Sequence, residues 1–381
     1  MQTYDIAIVG GGILGFAIAR LISIHDTMRN LSCVVFEKHG EPALEASGRS
    51  SGVVHSAFHQ PHQSLKARYS ARGSVLAKAY ARKRGIPLRE CGMLIALPYG
   101  ALWNGLWSKM VALRRLRERG IRNEVSFRFV WGQAGIRKIE PHVRAMGGIH
   151  IPDIAVVDGA RLTRLLSEEA VCQGVDVLWG HEVIGIDASA DSYRIATNRG
   201  FFRVRCLINA AGLFADEIAN MALGEKRYHI WPMRGDYYQV VEEKRELVRG
   251  LVFPVMPSGA ISKGMLLLRR PEPNGSLHIG PDARWVSRKD DYGPPSADLK
   301  EKFLAFAREF LPDIRSQDLQ WSHAGIRPKL SSDGAERDFI VSIDRIKPLL
   351  IDLVGIDSPG ISAGMGIAEA VVQVLELQML G

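Results

Sequence analysis

The chain has 381 residues, 46% hydrophobic and 24% charged, an ordinary globular composition with enough apolar residues for a large core. Lys plus Arg number 49 against 41 Asp plus Glu, a formal net charge of +8. No helix-turn-helix, RNA-binding sheet motif or finger spacing accompanies that charge, so nucleic acid is not an expected partner. The length suggests two domains, or one large domain with a second sheet grafted onto it. The four cysteines, Cys33, Cys91, Cys172 and Cys206, are scattered and form no CxxC, so neither a zinc ribbon nor a disulfide framework is suggested, and a reducing compartment fits. No cleavable leader and no run of about 18 apolar residues is expected. Basic stretches at Arg82-Lys83-Arg84 and from Arg114 to Arg119 read first as solvated helix faces. Attraction to anionic lipid and steering of an acidic substrate are the alternatives.

In chain order, Tyr4 to Val9 is a short apolar run that predicts a buried parallel strand. Gly10-x-Gly12-x-x-Gly15 follows, and Ile13, Leu14, Ala17, Leu21 and Ile24 recur at helical spacing. Ser32 to Phe36 predicts a second strand ending at Glu37. This order is a dinucleotide fingerprint. Gly10 permits the tight turn, Gly12 lets backbone approach a pyrophosphate, and Gly15 allows close helix–strand packing. The helix N-terminus offers N–H groups and a positive dipole end to the phosphates. Glu37 is placed to accept from a ribose hydroxyl, which disfavours NADP. The fingerprint stands at the N-terminus and no second GxGxxG follows, which favours FAD reduced directly by substrate.

Residues 48 to 62, "GRSSGVVHSAFHQPH", hold His55, His59 and His62. Glycines and a proline break helical geometry there, so spacing alone does not converge the imidazoles on a metal, and none is expected. Segments 66–84 and 103–119 read as amphipathic helices and "CGMLIAL" as a strand. Asp158 is placed to cap a helix carrying Leu162, Leu165, Leu166 and Ala170, closed by Gly174. Strands and hairpins follow to Asn209, then a helix from Phe214. From about residue 226, "GDYYQVVE", "GLVFPVM", "GMLLLRR" and "SLHIGPDA" predict an antiparallel sheet. A helix is expected over Ser296 to Phe310, then a strand, a glycine-rich turn and a long apolar helix.

The chain resembles the D-amino-acid-oxidase-like superfamily of FAD oxidoreductases, closest to its L-2-hydroxyglutarate oxidase/dehydrogenase branch. "SGVVHS…SLKA", "AVVDGARL", "INAAGLFADEIA", "RGDYY", "IGPDA", "GIRPKL" and "GIDSPGISAGMGIAEA" carry the resemblance in order along the chain. It implies an α/β fold: a Rossmann-type FAD domain from 1–90, 150–225 and 320–381, with an inserted, mostly antiparallel substrate domain from 91–149 and 226–319. It places Gly10, Gly12, Ile13, Leu14, Gly15, Glu37 and Lys38 on the cofactor. Ser51, Gly52 and Val53 would line the flavin and pyrophosphate, and Val183 would meet the adenine. Ala211 and Gly212 would close on the phosphates, and Ser358, Pro359, Gly360 and Ile361 would lie by the flavin pyrimidine edge.

The implied reaction oxidises a small anionic 2-hydroxy acid, with hydride transfer to flavin N5. Arg327 would pin the substrate carboxylate, with Tyr238, Lys329 and Arg234 as further contacts. His55 is either the general base or a residue fixing the ring. His59 and His62 are expected to face solvent or the pocket mouth. Two departures stand out: Leu266 where the branch carries a histidine, and Arg49-Ser50 within what is otherwise "GHNSG". The alternatives are an amino-acid or amine oxidase, a glycerol-3-phosphate dehydrogenase favoured by Arg269, Arg270 and Lys329, and a flavin-binding regulatory protein. Oxygen, a quinone or another flavoprotein would accept the electrons. The cytoplasm is the expected location, with a peripheral contact at the inner membrane left open.

Overall fold

The computed structural model describes residues 1–102, 105–256 and 264–379. Its first sheet is the dinucleotide-binding one. Gln2–Val9 lies at its centre, parallel to Cys33–Glu37 on one side and Gly200–Asn209 on the other. Asp176–Trp179 extends the parallel set beyond Cys33–Glu37, and Leu349–Val354 joins parallel to the end of Gly200–Asn209. The hairpin strands Val183–Ala188 and Tyr193–Thr197 and the strand Ile340–Arg345 complete the sheet antiparallel. Ile6, Ile8, Val35, Cys206 and Ile208 are buried on one face because helices cover it, as a parallel sheet requires.

The covering helices are Ile13–Ser23, Leu65–Arg84, Gly159–Cys172 and Gly360–Met379. Asp158 caps the third of these as expected, accepting from Arg161 N at 2.9 Å. Gly360–Met379 is long and apolar enough on average to cross a bilayer by composition, although Glu369, Gln373 and Glu376 interrupt it, so it is not an unbroken apolar run. Its 20 residues pack on Ile13–Ser23 and Leu65–Arg84, and its apolarity belongs to the core.

The second sheet is mostly antiparallel. Its order is Arg284–Trp285, Trp231–Val240, Leu277–Gly280, Leu266–Arg269, Leu251–Pro254, Met93–Leu97, Gly147–Ile151 and Arg128–Trp131. Leu319–Lys329 pairs along the whole of Trp231–Val240. The expected domain edge at 320 is therefore corrected to the end of this strand. Pairing, rather than proximity to the C-terminal cofactor segment, decides its sheet. Gly147–Ile151 likewise carries the second sheet past residue 149. Leu299–Phe310 covers one face, and Leu106–Arg122 covers the other. The first two residues of the helix expected from 103 lie outside the described residues.

Glycine sets the separation of the first strand, turn and helix. A Cβ on Gly15 would lie 1.9 Å from the Gly10 carbonyl oxygen. Gly10 itself has φ +112° and lies against Ala210. We expect Gly15→Ala to force the helix off the strand and to cost about 1–3 kcal/mol, measured as a lowered urea midpoint at unchanged slope.

Candidate active site

One cavity of about 330 Å³ lies between the two sheets. Gly10, Gly12, Ile13 and Leu14 line one end, and Ser47 Oγ accepts the Ile13 N–H there at 3.0 Å. Gly15 lies outside the lining and serves packing alone. Glu37 is buried at the end of its strand: Oε2 accepts from Gly11 N at 2.7 Å and Oε1 from His39 N at 2.8 Å. Lys38 lies 3.0 Å from Glu45 and 3.5 Å over the Phe214 ring. Val183, Ala211 and Gly212 line the same end. Ser51, Gly52, Val53 and His55 also line it, beside Ser358 to Ile361, the two segments being joined through Ser362. Gly360–Met379 begins there, so a second helix N-terminus faces the cavity.

Asp357 fixes this end. It is buried, and its two oxygens each receive an ammonium at 2.8 Å, Lys66 from helix Leu65–Arg84 and Lys329 from strand Leu319–Lys329. Burial pushes the Asp357 carboxyl up, but the two lysines outweigh it and hold it below the usual carboxylate range. Lys329 lines the cavity, but its charge is committed to Asp357.

The second sheet supplies the roof: Met233, Tyr237, Phe253 and Leu266. Arg327 enters among them, with Nη2 donating to the Asp282 carbonyl at 2.6 Å and Nη1 near Met233 Sδ. Among the described residues it makes no ion pair. Tyr238 is a correction. It packs on Phe303 at 4.6 Å in the opposite core layer, and Tyr237 faces the cavity in its place. The strand alternates strictly: Met233, Gly235 and Tyr237 line the cavity, while Tyr238 and Val240 enter the core layer behind, and the register shift beside them leaves Ser322 of the partner strand as the extra residue. Arg234 is also corrected: it is buried outside the cavity, held by Asp236 at 2.7 Å and Asp291 at 2.8 Å. His59 is buried rather than solvent-facing, its ring 4.9 Å from that of His55. His62 is exposed beside Asn123. His55 is buried against Phe253, and its backbone N–H donates to Ser362 Oγ at 2.7 Å.

Ser47, Ser362, Asp357, Met233 and Phe253 are cavity or support residues that sequence reasoning missed. The burial of Asp357 between two lysines from distant segments had no local signal. Arg49 lines the cavity while donating to the Leu44 carbonyl and lying 4.2 Å over the Tyr292 ring. Arg269 is buried on Glu246 at 2.7 Å. Behind Tyr237, His323 stacks at 4.5 Å and His278 follows at 5.9 Å, facing Arg270.

The residues suit a bound dinucleotide. Glycine turns admit close backbone approach, two helix N-termini offer positive ends, and a single buried acid stands beside the first turn. With a second sheet roofing a buried histidine and a guanidinium, the arrangement defines a dinucleotide-dependent oxidoreductase. The family model described as FAD dependent oxidoreductase matches residues 5–374. The chain belongs to that family: it is an FAD-dependent oxidoreductase.

The chain is 28% identical to a glycerol 3-phosphate dehydrogenase of Caloramator mitchellensis, over 98% of this chain and 74% of that protein. It is 26% identical to a mitochondrial L-2-hydroxyglutarate dehydrogenase of Nematostella vectensis, over 97% and 90%. Among solved structures, the FAD-bound L-alpha-glycerophosphate oxidase of Mycoplasma pneumoniae superposes with a TM-score of 0.84 at 25% identity, covering 99% of this chain and 95% of that one.

Desolvation and the Arg270 charge push the His278 imidazole down to about 3. Desolvation, then Arg270 and Arg49, push His323 down to about 4. Both therefore stay neutral in the folded chain at pH values where the unfolded chain takes up their protons. Folding stability should fall as pH is lowered from 6.5 toward 4. We expect urea midpoints to fall across that window, and His323→Gln to flatten the pH dependence by about one proton.

Proposed function

We propose that the enzyme oxidises a small 2-hydroxy acid to the 2-oxo acid. The observation that carries this is Arg327, a cavity guanidinium with no carboxylate partner among the described residues. Of the other cavity cations, Lys329 is paired with Asp357 and Lys38 with Glu45, while Arg49 donates to the Leu44 carbonyl and lies over the Tyr292 ring. A guanidinium matches a carboxylate through two parallel hydrogen bonds. A phosphate dianion would call for further cations. The relatives named L-2-hydroxyglutarate dehydrogenase support the same reading.

Arg327 holds the substrate carboxylate and so fixes the direction of the Cα–H bond. His55 accepts the hydroxyl proton on its imidazole, its position set by Phe253, His59 and the Ser362 anchor. Met233, Tyr237 and Leu266 exclude water above them. FAD, when bound along the Gly10–Leu14 turn, supplies the two-electron acceptor for the Cα hydrogen. Leu266 stands where the hydroxyglutarate branch carries a histidine; if that histidine is the branch's base, His55 takes its place here or the substrate differs. The regenerating oxidant is oxygen or a quinone.

Anaerobic bleaching of the enzyme-bound FAD tests the reading with four substrates: L-2-hydroxyglutarate, glycerol 3-phosphate, glycine and a D-amino acid. Bleaching by the hydroxy acid is expected. Bleaching by glycerol 3-phosphate or an amino acid alone would sink the proposal. We expect Arg327→Met to raise KM roughly 10- to 150-fold, the worth of hydrogen bonds to a charged group. His55→Gln should lower kcat by about 100- to 10,000-fold with little change in KM.

A further inference from the structure

We propose that helix Leu106–Arg122 is a docking surface for an anionic lipid bilayer. Its inner side is accounted for: Ala112, Leu113 and Gly120 are buried, and Leu106 and Leu116 pack on the second sheet. Its outer side carries Trp107, Met110, Arg114, Arg117 and Ile121, all exposed and spaced three and four residues apart. Trp107 is 82% exposed. A helix face meeting only water has no use for a tryptophan, a methionine and an isoleucine in one stripe.

The adjoining edge strand extends the patch. Val130 is buried in the layer that packs on Leu299–Phe310, so Phe129 and Trp131 project on the helix side. Their rings stack at 5.7 Å, and Trp131 is 69% exposed. Charge selects the occupant. The helix holds six cations (Lys109, Arg114, Arg115, Arg117, Arg119 and Arg122) against one carboxylate, Glu118. Tryptophan rings at headgroup depth, with arginines reaching lipid phosphates, are the recognised chemistry of an interfacial helix. A second copy of the chain would oppose these cations with themselves.

The helix also grips the segment that bears His55. Arg119 Nη1 donates to the His59 carbonyl at 2.8 Å, and Asn123 Nδ2 to the carbonyls of Ala57 and Gln60 at 2.8 and 2.9 Å. Docking would thus set the bilayer beside the cavity wall.

The test uses the FAD-loaded enzyme and sedimentation with vesicles of equal parts phosphatidylglycerol and phosphatidylcholine, against phosphatidylcholine alone. Binding to the mixed vesicles at low salt and release at high salt are expected. Trp107→Ala, and Arg114→Glu with Arg117→Glu, should each weaken binding by about tenfold or more. Arg194→Glu, on a hairpin of the other sheet, should leave it unchanged. Retained FAD absorbance and elution volume confirm that the variants fold. Quenching of wild-type tryptophan fluorescence by brominated lipid reports insertion without any variant. Failure to pellet, equal binding to neutral vesicles, or indifference to both substitutions overturns the proposal. So does a dimer dissolved by Trp107→Ala, or tighter binding to oligothymidylate than to vesicles. None of these readouts depends on which substrate the enzyme oxidises.

Discussion

A buried carboxylate between two ammonium groups ties this molecule together. Asp357 follows the last strand of the first sheet, Lys329 ends the longest strand of the second, and Lys66 begins the helix that spans the first. Three segments far apart in sequence meet at one charge. Removing either lysine would weaken that match, and removing the acid would strand two cations, Lys66 in a fully buried setting. The cavity floor near Ser358 to Ile361 is held in place through this contact, and so is the strand that presents Arg327.

The two sheets divide the work by their chemistry. Parallel strands covered by helices leave a crevice at their carboxyl ends, where glycine and helix N-termini accept phosphate. Antiparallel strands alternate their faces, so one side can bury Leu94, Val252 and Leu267 while the other presents Phe253 and Leu266 to the cavity. Arg327 and Tyr237 descend from paired strands of the same sheet. The roof is therefore rigid apolar surface with one charge set into it.

Much of this was legible in the sequence, for stated reasons. The first strand, glycine turn, helix and acid follow from short-range sterics, and the Asp158 cap is likewise local. Arg327 and His55 came from motif resemblance rather than from spacing. What escaped depends on contacts made at a distance. Leu319–Lys329 mixes Gln320, Ser322 and His323 with apolar residues because its faces meet different layers, so its alternation is blurred. Alternation pairs Tyr237 with Met233 and Gly235 on one face and Tyr238 with Val240 on the other, but which face meets the cavity depends on what packs against the sheet. Motif resemblance places Arg234 in the site, whereas strand alternation sets it with Asp236 on the face away from Met233, Gly235 and Tyr237, and Asp291 reaches it from a distant loop. His59 became an inner residue only once helix Leu106–Arg122 was laid over its loop.

That overlay has a mechanical corollary. Three side-chain hydrogen bonds from Arg119 and Asn123 end on carbonyls between Ala57 and Gln60, a few residues past His55. The helix Leu106–Arg122 and the segment that follows His55 are thus tied backbone to side chain at one place. A displacement of that helix would be passed to the backbone beside His55 through these three bonds rather than through the packed layers of either sheet.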